Sequence, residues 1–153
     1  MANEGVTDLL LNFICSCRNA KIQLKDIVVF VAQKAFVPMI KSFGVHAFYH
    51  KHLGEMPSAS ETYGDFTFQR MMWFKASTVY LVSRAGFDIL FQDADLVWLK
   101  DPITHIKAIQ KDLVFMDDGI RSPRFSPFFI NSGFYFLRKN SEYDVIYSEY
   151  SSR

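Results

Sequence analysis

The sequence predicts an α/β fold with an open, mostly parallel sheet flanked by helices. Short apolar runs of strand type alternate with amphipathic helical segments, an order typical of parallel sheets. Half of the 153 residues are hydrophobic and 16% are aromatic, which is enough apolar material for a globular core. The chain opens with a helix and stops in one, whereas such a sheet normally begins with a strand. We therefore expect residues 1–153 to be part of one domain, truncated at both ends.

The first predicted helix extends from Thr7, which together with Asp8 offers a cap, to Cys17. Its apolar residues repeat at helical spacing: Leu9, Leu10, Phe13, Ile14 and Cys17. The two cysteines of the chain, Cys15 and Cys17, point to nearly opposite faces of this helix and cannot easily bridge each other. A disulfide framework is therefore excluded.

Two short strands separated by a short helix are expected next. Residues 26–32 are apolar and β-branched and predict a buried strand, and a second strand is expected at 45–49. Between them, Pro38 limits the start of the helix and Gly44 ends it. The composition of residues 56–63 predicts a loop.

The longest predicted helix extends from about Asp65 to Ala85, and Gly86 ends it. One arc of its helical projection contains Met71, Phe74, Thr78, Val79, Leu81 and Val82. Lys75 falls inside this arc, where a cation needs a partner or a route to water. It is a candidate to bind an anion, and the alternative is an ammonium that extends to solvent. Arg70, one turn earlier, could bind phosphate instead, although a surface position is the simpler interpretation.

The strand that follows ends in two carboxylates. An apolar run from Phe87 to Phe91 stops before Asp93 and Asp95, and carboxylates at the end of a buried run cost solvation free energy unless something compensates. In open parallel sheets, ligands bind at the carboxyl ends of strands. Residues two apart in an extended chain point to the same side, so both carboxylates could face one cation. The pair predicts a site for Mn²⁺ or Mg²⁺ that also engages phosphate, with a solvated strand end as the alternative.

The remaining predicted elements alternate in the same way. A short helix follows Pro102, and a strand at 113–116 ends in Asp117-Asp118-Gly119. These two aspartates are expected to form a solvated turn, with a contribution to a ligand pocket as the alternative. A further strand is expected at 133–137 and a last helical segment from Ser141.

The charge and hydropathy patterns exclude several classes of protein. The net charge of +1 and the lack of a basic run give no indication of nucleic-acid binding. No apolar run approaches the roughly 20 residues of a membrane helix, and the N-terminus lacks a signal-type segment. The histidines at 46, 50, 52 and 105 show no metal-ligand spacing tied to a strand end.

The stretch Asp93-Ala94-Asp95, followed by Leu96-Val97-Trp98-Leu99 and Asp101-Pro102, resembles the nucleotide-diphospho-sugar transferase family. These are glycosyltransferases of the Rossmann-like GT-A fold, similar to plant cell-wall xylosyl- and arabinosyltransferases. Other stretches resemble the family in the same order: Asn3-Glu4-Gly5, Asn12, Lys75, Gly86-Phe87-Asp88-Ile89-Leu90 and Asn131-Ser132-Gly133-Phe134-Tyr135-Phe136-Leu137-Arg138.

The resemblance implies an enzyme that transfers a sugar from a nucleotide-sugar, such as a UDP-sugar, to a glycan or glycoprotein acceptor. It further implies a Mn²⁺ or Mg²⁺ cofactor, retention at the anomeric carbon, and the Golgi or another secretory-pathway lumen, reached through a membrane anchor absent from this chain. The family's first strand is expected before Asn3 and its acceptor-side part beyond Arg153. No catalytic residue is assigned.

The resemblance also implies roles for individual residues. Asp93 and Asp95 would hold the metal and diphosphate, Asp95 the more directly, and Lys75 would reach the diphosphate or an Asp of the motif. Asn131, Ser132 and Gly133 would recognise donor-sugar hydroxyls, the alternative being a simple polar turn before the last strand. Asn3 is a candidate for nucleotide contact.

Two other functions compete with this interpretation. Phosphotransferases of the haloacid-dehalogenase type also carry Asp-X-Asp at a strand end, but they have Thr two residues after the second Asp, where this chain has Val97. The other is a non-catalytic fragment or nucleotide-sugar-binding domain that retains donor affinity at most.

Overall fold

The computed structural model of the chain describes residues 2–51, 66–118 and 127–139. These residues divide between two compact units, the first formed by Met1–Thr78 and Ala94–Asp101 and the second by Val79–Asp93 and Pro102–Arg153. The described helices are α1 (Thr7–Asn19), α2 (Val37–Ser42), α3 (Phe66–Arg84) and α4 (Ile103–Ala108). The described strands are β1 (Val28–Phe30), β2 (His46–Phe48), β3 (Ile89–Gln92), β4 (Leu113–Asp117) and β5 (Ile130–Leu137). The predicted loop at 56–63 and the predicted helix from Ser141 lie outside the described residues.

The predicted α/β class is confirmed, and each unit contains its own sheet. In the first unit β1 and β2 pair in parallel, and a parallel bridge joins Ala2 to Val31. In the second unit the strand order is β3-β5-β4, and β5 is antiparallel to both neighbours. Parallel pairing thus holds in the first sheet, whereas the insertion of β5 between β3 and β4 makes the second sheet antiparallel.

Helix α1 supplies much of the core of the first unit. Leu10, Phe13, Ile14 and Cys17 are buried, as their spacing predicts, but Leu9 is 41% exposed. The predicted cap is wrong: Val6 occupies the N-cap position without a side-chain hydrogen bond, and Thr7 is the first helical residue.

The segment that follows the two acidic residues is attached to α1. The backbone N–H of Trp98 donates to Ser16 Oγ at 2.9 Å, and its ring meets Phe13 edge to face with centroids 5.4 Å apart. Edge-to-face geometry is a favourable arrangement for two aromatic rings because it brings the positive edge of one against the negative face of the other. The chain is therefore fixed in the first unit within a few residues of Asp95.

Helices α2 and α3 stop where their glycines predict. Gly44 follows α2 with φ +84° and Gly86 follows α3 with φ +83°, conformations that L side chains rarely adopt. The buried arc of α3 includes Phe74, Lys75, Thr78 and Val79 as expected, but Leu81 lies at the surface and Ser83 is buried instead.

The second unit packs β3 and β5 around a small apolar cluster. Val79, Ile89, Phe91 and Leu137 are buried together, and the rings of Phe91 and Tyr135 stack with centroids 5.2 Å apart. None of the helices in the described part of the chain is long and apolar enough to cross a membrane.

Strand β5 begins earlier than its sequence predicts. Asn131 and Ser132 lie inside the strand rather than in a turn that precedes it, so the predicted turn is wrong. The register with β4 explains the difference, because Phe115 pairs with Tyr135 whereas Asp117 pairs with Ile130. The extra residues of β5 opposite this step form a bulge, which lets a polar segment continue a strand.

Leu9 and Leu10, at the start of α1, provide a matched test of the core. Replacing Leu10, which is 4% exposed, by Ala should lower the free energy of unfolding by about 2 to 5 kcal/mol, because a cavity opens beside Phe13 and Ile14. The same change at Leu9 should cost below about 1 kcal/mol, since that side chain already meets solvent. Urea unfolding of the two variants measures the difference, and equal costs would contradict the placement of the buried face.

The two thiols should differ in reactivity. Burial, opposed by a hydrogen bond from Ser16 and reinforced by Asp101, raises the pKa of Cys17 from 9.0 to about 11. Cys15 is exposed and should react with iodoacetamide at pH 8 in the native protein, whereas Cys17 should react only in urea. Mass spectrometry of the alkylated peptides tests this order of thiol reactivity, which equal labelling of Cys15 and Cys17 would refute.

The buried thiol also makes the free energy of unfolding depend on pH. Because the pKa of Cys17 is higher in the folded protein, the stability from the neutral thiol is complete below pH 9 and is lost as the pH rises through about 11.

Candidate functional site

The carboxyl end of β3 is held against β5 by backbone hydrogen bonds. The antiparallel register extends from Ile89–Leu137 to Gln92–Phe134. The N–H of Asp93 then donates to the carbonyl of Gly133 at 2.8 Å, which continues the pairing one residue beyond the strand. The position of Asp93 is therefore set by the second sheet.

Gly133 is where the backbone and two polar side chains approach most closely. A methyl group built on its Cα would lie 2.7 Å from Oδ2 of Asp93 and 3.0 Å from Oδ1 of Asn131. Real Cβ atoms essentially never show such a short contact, so any other residue at 133 would force the Asp93 carboxylate to move, whatever its backbone angles. The absence of a side chain at Gly133 places the carboxylate and the amide next to each other.

The amide of Asn131 is fixed by two hydrogen bonds. Its Oδ1 accepts from the backbone N–H of Gly133 at 2.6 Å, an Asx-type contact two residues along the chain. Its Nδ2 donates to Oδ2 of Asp118 at 2.7 Å. Both bonds lie within the second unit, and the second one joins the bulged part of β5 to the residue that follows β4.

The end of β4 is also hydrogen-bonded to Phe129, the residue that precedes β5. The N–H of Asp118 donates to the carbonyl of Phe129 at 2.9 Å, and the N–H of Phe129 donates to Oδ1 of Asp117 at 2.8 Å. Both aspartates are exposed, as a solvated turn predicts, but their contacts with β5 are not part of that prediction. The sequence feature that could have pointed to these contacts is the position of both aspartates at the end of a strand. Asp93 has the same kind of position.

Asp95 belongs to the first unit and is exposed. Ala94 and Asp95 form a turn, so the alternation of side chains in an extended chain does not apply to this pair. Asp93 is half-buried, and the two carboxylates therefore differ in their contact with solvent. The prediction that both carboxylates point to the same side assumed an extended chain, and residues 94 and 95 are not extended.

Two of the predicted site residues, both in the first unit, are buried. Asn3 is 4% exposed and Lys75 is 7% exposed. The residue before each of them contacts the segment that follows β1. Ala2 forms a parallel bridge with Val31, and Phe74 is buried together with Ala32. Lys75 is thus not a lysine that lies along the surface, whereas Arg70 is exposed, as is Ser132 in the second unit.

In the three described stretches, no group of three or more His, Cys, Asp or Glu side chains is arranged to hold a metal ion. Asp93 and Asp95 stay the metal ligands that the sequence predicts. Mg²⁺ and related hard ions often bind through one or two carboxylates and complete their coordination with phosphate oxygens and water. This donor set suits a metal–phosphate complex better than an ion enclosed by protein.

Residues 23–150 match the sequence profile of the family described as nucleotide-diphospho-sugar transferase. The chain belongs to this family. The match spans most of the sequence and includes β1 to β5, and it confirms the family indicated by the acidic pair and its flanks.

Curated relatives agree with this assignment. The chain is 23% identical over 145 residues to the beta-arabinofuranosyltransferase RAY1 of Arabidopsis thaliana. The matched region covers 92% of this chain and 27% of that protein. It is 33% identical over 84 residues to the UDP-galactose:fucoside alpha-3-galactosyltransferase of Dictyostelium discoideum, covering 53% of this chain and 13% of that protein. The chain thus spans about a quarter or less of the length of these relatives. No solved structure matches it.

A methyl group at Gly133 should disturb the site through Asp93. Gly133→Ala should lower the free energy of unfolding by about 1 kcal/mol, because the new Cβ displaces the carboxylate and presses on the Asn131 amide. The cost should be smaller in an Asp93→Ala background, where the closest atom is missing. A double-mutant cycle by urea unfolding measures this coupling, and additive costs would show that the two residues are not in contact.

Proposed function

We propose that this chain carries the donor-binding part of a metal-dependent glycosyltransferase. The complete enzyme would transfer a sugar from a nucleotide-sugar to a glycan or glycoprotein acceptor, with retention at the anomeric carbon. Membership of the nucleotide-diphospho-sugar transferase family supports this proposal. The observation that carries it is the approach of Asp93 and Asn131 to Gly133, which combines a carboxylate, an amide and open backbone at the end of a strand.

Asp93 and Asp95 are the residues that would hold Mn²⁺ or Mg²⁺. Their oxygen atoms are ligands that these hard ions prefer, and their number leaves room for the diphosphate and water. When bound, the cation would offset the negative charge of the departing nucleoside diphosphate.

We assign the predicted binding residues to the two ends of the donor by their charge, cationic side chains to the diphosphate and neutral ones to the sugar. We assign Lys75 to the diphosphate, because a buried ammonium interacts strongly with phosphate oxygens where water is scarce. Arg70, which is exposed, is the second candidate for that contact, and Asn3 is the candidate for the nucleotide. Asn131 and Gly133, together with the exposed hydroxyl of Ser132, are assigned to the donor sugar.

Bond breaking at the anomeric carbon makes the sugar ring positively charged, as in glycoside hydrolysis. The end of the second unit that carries Asn131 also carries the exposed carboxylates of Asp117 and Asp118. Fixed negative groups beside a developing positive charge lower the free energy of the transition state. This environment supports assigning the sugar, and not the diphosphate, to this part of the site.

The names of the relatives support a UDP-sugar as the donor. The Dictyostelium protein is named for UDP-galactose and the Arabidopsis protein for arabinofuranosyl transfer. By the same family argument, we place the protein in the Golgi or another secretory-pathway lumen.

A second candidate function follows from the length of the chain. Because it spans 27% of the Arabidopsis relative, residues needed for transfer can lie in the part of that protein that has no counterpart here. The alternative is therefore a nucleotide-sugar-binding domain that binds the donor without transferring it.

Calorimetric titration of the 153-residue chain with UDP tests the proposal. We expect binding in the presence of Mn²⁺, and binding that is at least about tenfold weaker with EDTA, because one carboxylate pair without its ion repels a diphosphate. Asp95→Ala should abolish the metal-dependent part of the affinity.

Incubation with UDP-sugars then separates the two candidate functions. Slow hydrolysis to UDP indicates a transferase, and its absence indicates a binding domain.

Asp26→Ala is the matched control, since this carboxylate is exposed in the first unit and lies outside the motif. It should bind UDP and Mn²⁺ as the wild type does. Unchanged affinity in Asp95→Ala would refute the metal assignment, and UDP binding that ignores Mn²⁺ would refute metal dependence.

A further inference from the structure

We infer that Asp118 is a positioning residue, which fixes the amide of Asn131 so that it binds a hydroxyl group of the donor sugar. The inference rests on the proposed function and deepens it, because it adds a residue on the neighbouring strand to the sugar end of the site. Its basis is the hydrogen bond of 2.7 Å from Asn131 Nδ2 to Asp118 Oδ2.

The two partners of the Asn131 amide determine its orientation. A carboxylate oxygen can only accept a hydrogen bond, and the N–H of Gly133 can only donate one. Turning the amide over would place Oδ1 against the Asp118 carboxylate and Nδ2 against the N–H of Gly133, and both contacts would be repulsive. Asp118 and Gly133 together therefore allow a single orientation.

The fixed amide keeps hydrogen-bonding capacity for a ligand. An asparagine amide has two N–H groups and two carbonyl lone pairs, and the two contacts use one of each. The second N–H and the second lone pair can bind a group that both donates and accepts. A sugar hydroxyl is such a group.

The charges around Asn131 exclude a phosphate from the same position. Asp117 and Asp118 are exposed carboxylates, hydrogen-bonded to Phe129 and to Asn131 at the start of β5. A phosphate oxygen only accepts hydrogen bonds and would be repelled by these groups. The ligand class for this position is thus a neutral hydroxyl-bearing sugar.

Positioning by Asp118 should improve binding because the amide loses no rotational freedom when the ligand arrives. An exposed asparagine without a partner samples several rotamers, and ordering it reduces the affinity that its hydrogen bonds supply. A charge-assisted bond to a carboxylate holds one rotamer in advance.

Two substitutions at Asp118 separate positioning from charge. Asp118→Leu has a similar size but no acceptor, whereas Asp118→Asn keeps an oxygen that can accept from Asn131 Nδ2. The matched control is Asp112→Leu. It removes an exposed carboxylate just before β4, at the opposite end of that strand from Asp118. Oδ1 of Asp112 lies 3.5 Å from Nε of Arg138. The measurement is the ratio of the dissociation constants of UDP and of UDP-galactose, UDP-xylose and UDP-arabinofuranose with Mn²⁺.

We expect Asp118→Leu to weaken binding of at least one UDP-sugar by about tenfold, the size of one hydrogen bond, without changing the affinity for UDP. Asp118→Asn and Asp112→Leu should keep the wild-type ratio. The side-chain NH₂ signals of Asn131, assigned by NMR with Asn131→Asp, should shift in Asp118→Leu and stay near their original positions in Asp118→Asn.

Several results would overturn the inference. They are an unchanged ratio in Asp118→Leu, an equal loss of UDP and UDP-sugar affinity in that variant, or the same loss in Asp118→Asn as in Asp118→Leu. A wild-type chain that binds UDP but gains nothing from the sugar would overturn it and leave the proposed metal–diphosphate site intact. A wild-type chain that binds neither UDP nor UDP-sugars would overturn the proposed function itself, and this inference with it.

Discussion

The backbone hydrogen bond between Asp93 and Gly133 is the constraint on which the candidate site depends. It extends the pairing of β3 with β5 past the end of β3 and brings a carboxylate from one strand next to an amide from the other. Glycine keeps this arrangement undisturbed, because a Cβ at 133 would displace the Asp93 carboxylate and crowd the Asn131 amide. The chemistry of the site thus follows from strand order as much as from the acidic motif.

Local features of the structure could be predicted from sequence because their causes are local. Hydrophobic periodicity located α1 and α3, and Gly44 and Gly86 ended helices because their left-handed conformations suit glycine. Lys75 lies within an apolar arc, and of the two environments left open for it the structure has the buried one. The acidic pair and its flanks indicated the family that residues 23–150 match.

Other features could not be predicted because they depend on distant parts of the chain. The exposure of Leu9 and Leu81 is decided by what packs beside each helix, which periodicity does not contain. The antiparallel order β3-β5-β4 and the bulge opposite Phe115 and Asp117 depend on pairing between segments far apart in sequence. Asp118 was interpreted as a solvated turn residue because its partner, Asn131, is adjacent only in the folded chain.

The bulged part of β5 is attached on both sides, and this affects how it moves. The Ile130–Asp117 pair holds it to β4, and the Asp93–Gly133 bond holds it to β3. A segment anchored in this way leaves its position only when both ladders break, an opening that costs far more free energy than the motion of a loop. The proposed sugar ligand of Asn131 would therefore meet a segment whose backbone is already held in place before binding.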